Sequence, residues 1–260
     1  MNSKITLLIP SLVCAGIVSP TEADAQTEEE YDEVSILERE FEPEPNVFRL
    51  ESDEDSAPTN NKVGHKNASD DPNRYATLTD KDFEVVAKQL GVEIAAIKAV
   101  VRVEAGDAME GFWAPGVPVV NFDPTMYAQY KKLASKGGKN VKVPSGLKGY
   151  ALKEWTQLTN ARKVNWEGAN MGTFWGMFQI GGFNYKKCEC SSVDEFIKKM
   201  SESEFEQLEL FAIFIRNSGM LNDLRNKEWS SFSRKYNGPS YKKRGYHTKM
   251  ANYYKKFSGK

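Results

Sequence analysis

Val92-Glu93-Ile94-Ala95-Ala96-Ile97-Lys98-Ala99-Val100-Val101-Arg102-Val103-Glu104 is an apolar helical run that ends in a carboxylate. Ile97, Val100, Val101 and Glu104 recur at i, i+3, i+4 and i+7, so the glutamate shares the apolar face. Ala105-Gly106 then stops the helix. A carboxyl on such a face holds its proton tightly, which is what a general acid requires.

Helical spacing continues outward from this run. Thr79 with Asp82 forms a capping-box start, and Phe83, Val86, Ala87 and Leu90 follow at helical spacing up to Gly91. Downstream, residues 117–122 are short, apolar and β-branched, and read as a strand or an extended rim. Asp123-Pro124 reads as an N-cap with proline in the first turn of the next helix. Residues 136–149 form a Gly/Lys-rich loop, and residues 151–163 an amphipathic helix. Residues 165–183 are dense in aromatics and glycine without a clean period, the pattern of a site wall. Ser192 with Glu195 and Ser201 with Glu204 predict two further capping boxes, the second opening a helix with Phe205, Leu208, Phe211, Ala212 and Ile215 as its core stripe. A short helix over 229–236 precedes Asn237-Gly238-Pro239, and Tyr246, Met250, Tyr253, Tyr254 and Phe257 mark the last one. The expected class is a mainly α domain with at most a small β hairpin.

The ends of the chain differ in composition. Residues 1–25 read as a secretory signal, with Lys4 as the positive n-region and Ala23-Asp24-Ala25 as the cleavage site. Its apolar stretch is too short to favour a membrane span. A lipoprotein reading through Cys14 is disfavoured by the bulky Val13 before it. The chain is therefore expected to be exported to the periplasm or beyond, without a transmembrane helix. Residues 26–74 hold too few large apolar groups to offset chain entropy, and read as a disordered acidic linker. Residues 75–260 are the size of one domain, expected to act as a monomer.

Residues 1–74 carry 6 Lys and Arg against 17 Asp and Glu, whereas 75–260 carry 29 against 19. A near-neutral total thus hides a basic domain. Such a domain suits an anionic polymer, nucleic acid or bacterial cell wall, or is simply a solvated surface. No helix-turn-helix or zinc signature supports nucleic acid, and export argues against it. Cys188-Glu189-Cys190 is too tight for an easy disulfide, so two free thiols are expected. With His65 and His247 the only histidines, no zinc set is available, and neither metal nor cofactor is expected.

Three motifs succeed one another along the domain: Glu104 at a helix end, Trp175-Gly176-Met177-Phe178-Gln179-Ile180, and Tyr236-Asn237-Gly238-Pro239. In this order they resemble lysozyme-like hydrolases and soluble lytic transglycosylases. The closer resemblance, over residues 78–257, is to the N-acetylmuramidase family of phage endolysins and bacterial cell-wall enzymes. It includes Gly91 to Ile97, Gly182-Phe183-Asn184 and Tyr246-His247-Thr248-Lys249. The resemblance implies a lysozyme-like fold and cleavage of the β-1,4 bond between N-acetylmuramic acid and N-acetylglucosamine in peptidoglycan. Glu104 is then the general acid. Gln179 and Asn237 suit sugar amide and hydroxyl groups, while Trp175, Phe178 and Tyr236 offer flat faces to the sugar.

Two departures stand out. Ala105 follows Glu104 where the family often has serine, and Phe122-Asp123 stands where it commonly has Phe-Glu. Asp123 is the candidate second catalytic carboxylate, with Asp107 behind it, and both also read as structural. If both are structural, the site works with one acid, as in lytic transglycosylases, whose muramic 6-hydroxyl attacks internally. A binding module without turnover is the remaining alternative.

Overall fold

The computed structural model describes residues 75–135 and 137–259; the expected signal, 1–25, and linker, 26–74, lie outside the described residues. Helix α1 (Asp80–Leu90) opens with the expected capping box, Thr79 Oγ1 accepting from Asp82 N and Asp82 accepting from Thr79 N. It closes at Gly91, whose φ of +62° is a left-handed conformation that glycine adopts without steric penalty. Helix α2 (Ile94–Glu104) follows, with Glu93 at its N-cap. Ile97, Val100 and Val101 are fully buried, so the face that Glu104 shares is the core face.

The strands and middle helices follow in chain order: β1 (Phe112–Ala114), β2 (Val117–Pro118), β3 (Val120–Phe122), α3 (Pro124–Leu133), α4 (Gly149–Val164), α5 (Trp166–Met171), β4 (Thr173–Trp175) and β5 (Ile180–Gly181). Strands β1 and β2 pair antiparallel, and β3, β4 and β5 form a second antiparallel sheet in that order. The β structure is therefore two small sheets where one hairpin was expected. The segment 117–122 divides at Val119, whose N–H donates to Gly111 O while its carbonyl accepts from Gly176 N at 2.8 Å. One residue thus stitches the two sheets. In the second sheet Val120 stands opposite Trp175 and Phe174 opposite Gly181, which makes Gly176 to Gln179 the turn of the β4–β5 hairpin.

A 3₁₀ stretch (Gly182–Cys188) leads into α6 (Val193–Met200), α7 (Glu204–Asn217), α8 (Leu221–Asn226), α9 (Trp229–Asn237), α10 (Tyr241–Arg244) and α11 (Tyr246–Ser258). Ser192 caps α6 as expected, accepting from Glu195 N at 3.1 Å. The cap of α7 is Ser203, which accepts from Glu206 N, and not Ser201. Glu204 is unavailable for a box because its carboxylate is buried and accepts from Leu78 N and Gly111 N, at 3.0 and 2.7 Å. A buried carboxylate without such donors is far more costly than a shifted cap.

Trp175, Phe178, Phe211 and Phe232 centre the core, and α11 packs along α2. Arg162 is buried beneath it. Its Nε donates to Asn170 Oδ1 at 2.7 Å, and its guanidinium lies over the rings of Trp155, Trp166 and Trp175. Among the described residues, no helix is long and apolar enough to cross a membrane. The domain is mainly helical, in line with the sequence reading.

Candidate active site

Glu104 is the last residue of α2, at the negative end of the helix, where a second negative charge is disfavoured. Its side chain is partly open to solvent yet set among many protein atoms. That burial pushes the carboxyl up from 4.5 to about 7, against smaller opposing effects from the Asn237 hydrogen bond and the Lys249 charge. At neutral pH both protonation states are therefore populated. Asn237, the last residue of α9, donates from Nδ2 to Glu104 Oε1 at 2.8 Å. Its own Oδ1 is buried and has no partner among the described residues.

Tyr236 comes to the same place. Its hydroxyl donates to Phe178 O at 2.5 Å, and its ring stacks on Phe232 and meets Phe211 and Phe214. Burial raises the phenol well above its usual value, and the nearby Glu104 charge adds to this. The tyrosine thus anchors the hairpin turn to α9 next to the glutamate. Within the turn, Gly176 has φ +70° and Gln179 φ +49°. Gln179 donates from Nε2 to Gly176 O at 2.8 Å and remains half-buried.

Two expectations are corrected here. Trp175 and Phe178 were expected to offer their faces to a sugar, but both are 0% exposed. Trp175 Nε1 donates to Asn170 O, and Phe178 stacks on Phe211 at 4.1 Å between centroids. Strand alternation and the turn send both rings into the core, so they shape the site from behind. Asp123 is likewise occupied. It caps α3, its Oδ1 accepting from Thr125 N and Met126 N, and no hydrogen bond or ion pair joins it to Glu104. Asp107 is ion-paired with Arg102.

Two residues near Glu104 and one that braces the hairpin turn escaped the sequence reading. Tyr246 opens α11, and its phenol is raised by burial and by the Glu104 charge. Lys249 lies one turn on, with Nζ 5.8 Å from the Tyr246 ring. The four-residue stretch that contains both carried the only available signal. Gln207 of α7 is the third. Fully buried, it accepts from Met177 N at 2.8 Å and donates to Met200 O and Gly111 O at 2.9 and 3.2 Å. One amide thereby ties the loop after Glu104 to the hairpin turn. A recess of about 450 Å³ between Trp166, Tyr185 and Asp194 shares no residue with this group.

A lysozyme-like peptidoglycan hydrolase is the class to which this fold and the comparisons point. Residues 93–258 match the family model for N-acetylmuramidase. The chain belongs to the N-acetylmuramidase family. Among solved structures it is similar to the Burkholderia AP3 phage endolysin, with 34% identity over 72% of each chain and a TM-score of 0.58. No curated protein matched.

Proposed function

We propose that the chain is an exported enzyme that hydrolyses the β-1,4 bond between N-acetylmuramic acid and N-acetylglucosamine, with Glu104 as general acid. The observation that carries this is a carboxyl raised to about 7 by burial at a helix end and held by Asn237. Glu104 gives its proton to the glycosidic oxygen as the C1–O bond breaks, leaving an oxocarbenium-like centre. Water then adds to C1 and yields its proton to the Glu104 carboxylate. Asn237 Oδ1, buried without a partner, is the acceptor that orients this water or a sugar N–H. Tyr236 holds the hairpin turn beside Glu104, and Gln179 braces that turn from within.

A second reading has one observation in its favour. Asp107 and Asp123 are both engaged elsewhere, which suits a one-carboxylate mechanism with internal attack by the muramic 6-hydroxyl. Digesting peptidoglycan with wild type and Glu104→Gln, with fragments read by mass spectrometry, separates the two. Reducing muramic ends that vanish in the variant support hydrolysis, and 1,6-anhydro ends transfer the chain to the second reading. Fragments undiminished in the variant sink Glu104 as the acid. Export is tested by sequencing the N-terminus of the secreted protein, expected to start at Gln26.

A further inference from the structure

Residues 229–260 contain nine Lys and Arg and no Asp or Glu. This same stretch supplies Asn237, Tyr246 and Lys249 beside Glu104. Arg234, Lys242, Lys243, Lys249, Lys255 and Lys256 are all exposed, and none makes an ion pair with a described residue. Lys235 is the member of the stretch that does pair, with Asp223 of α8, as Lys98 does with Asp80 and Lys227 with Glu93 elsewhere. Cations are thus left uncompensated on the elements that hold the site. Lys242 follows Asn237 by five residues and Lys243 precedes Tyr246 by three, so both backbones lie within about 18 Å of a site residue.

A concentration of like charges costs self-repulsion, which an anionic ligand relieves. The proposed cleavage site takes a polymer that carries its own charges at each repeat. The backbone sugars of such a strand are neutral, and its carboxylates sit on the attached peptide, or on the muramic lactyl group where no peptide is joined to it. We infer that the α9–α11 face is a carboxylate-reading wall: it selects peptide-bearing, anionic glycan over neutral glycan of the same backbone. This inference rests on the reading of the Glu104 site given above, and it names a specificity surface beside that site. Exposed cations act mainly through long-range attraction, so the effect is salt-sensitive.

The test uses the full chain carrying Glu104→Gln, so that binding is read without cleavage. Its probes are soluble peptide-bearing glycan strands, the same strands with their carboxylates converted to methylamides, and inorganic polyphosphate. At low salt the untreated strands are expected to bind about tenfold tighter than the methylamide, the size a few exposed charges supply. Lys242→Gln with Lys243→Gln should remove most of that ratio and leave methylamide binding unchanged. Equal binding of the two strands, no binding of either, or a ratio the double variant does not alter overturns the inference. So does polyphosphate binding as tightly as the strands at equal charge, which would mark a general polyanion surface. Fragment release by wild type is scored separately, so a failure of the cleavage reading is not confused with a failure of this one.

Discussion

Asn237 Nδ2 donates to Glu104 Oε1 across 2.8 Å, joining the end of α9 to the end of α2 over 133 residues of sequence. A donor on a carboxylate favours its charged form, so this bond works against the burial that raises Glu104. The balance sets the acid near neutrality, where a general acid is most effective.

Weakening either opposing effect should raise the acid further. In Asn237→Ala and in Lys249→Gln, the alkaline limb of the pH–rate profile is expected to move above that of the wild type. Asn237→Ala should also lower the maximal rate about tenfold or more, because the acid loses its orientation. Profiles of kcat/KM from pH 5 to 9 check this. A limb that stays in place or moves down would detach it from Glu104.

Glu104 also links pH to stability. Its carboxyl is raised in the folded state, so its contribution is fully present below about 4.5 and is lost as pH rises through about 7. Full enclosure would make that loss about 3 kcal/mol, and the partial opening of the side chain reduces it to about 1–2 kcal/mol. Glu104→Gln cannot ionise. Its melting temperature should equal that of wild type near pH 4 and exceed it by about 2–8 °C near pH 8. Thermal unfolding at both values decides, and a variant less stable at pH 8 contradicts the burial argument.

Local spacing made much of this legible. Thr79, Asp123 and Ser192 announce helix starts because a cap is a contact within three residues. Glu104 is visible because its apolar face repeats at 3.6 residues, and Asn237 because it ends a short helix before Gly-Pro. The failures share a different cause. Ser201 and Ser203 each precede a glutamate by three residues, and only the distant partners of Glu204, Leu78 and Gly111, decide between them. Gln207 reads as an ordinary helical glutamine because its partner Gly111 is 96 residues away. Trp175 and Phe178 carry no mark of which way they face until β3 pairs with β4.

The buried amide of Gln207 makes a steric prediction. A Cβ on Gly176 would come within 2.5 Å of Gln207 Oε1, and one on Gly111 would also collide with that atom. Gly245 has a positive φ as well, in the ordinary left-handed region, but a Cβ there meets nothing within 4 Å. Gly176→Ala should therefore cost about 2–4 kcal/mol, strain and collision together, and Gly245→Ala about 1 kcal/mol from the backbone alone. Gln207→Leu leaves Met177 N and Met200 O unpaired in the interior, while Gly111 O keeps its bond from Val119 N, at about 2–3 kcal/mol. Denaturant unfolding ranks the three, and equal losses at Gly176 and Gly245 would contradict the role given to Gln207.

Phe178 and Tyr236 separate packing from chemistry. Phe178 has no exposed surface and stacks on Phe211, so Phe178→Ala opens a cavity and should cost about 3–5 kcal/mol. If the ring met sugar instead, the main effect would be a higher KM at nearly unchanged stability. Tyr236→Phe keeps the stack on Phe232 and removes only the hydroxyl that bonds Phe178 O. That leaves a carbonyl unpaired, for about 1–2 kcal/mol, and frees the hairpin turn beside Glu104. The rate should fall several-fold at unchanged KM, because the turn positions the acid's surroundings without gripping the ligand. A Tyr236→Phe enzyme with wild-type kcat and raised KM would show that the phenol binds substrate directly, and the hydrogen bond to Phe178 would then be a resting-state contact.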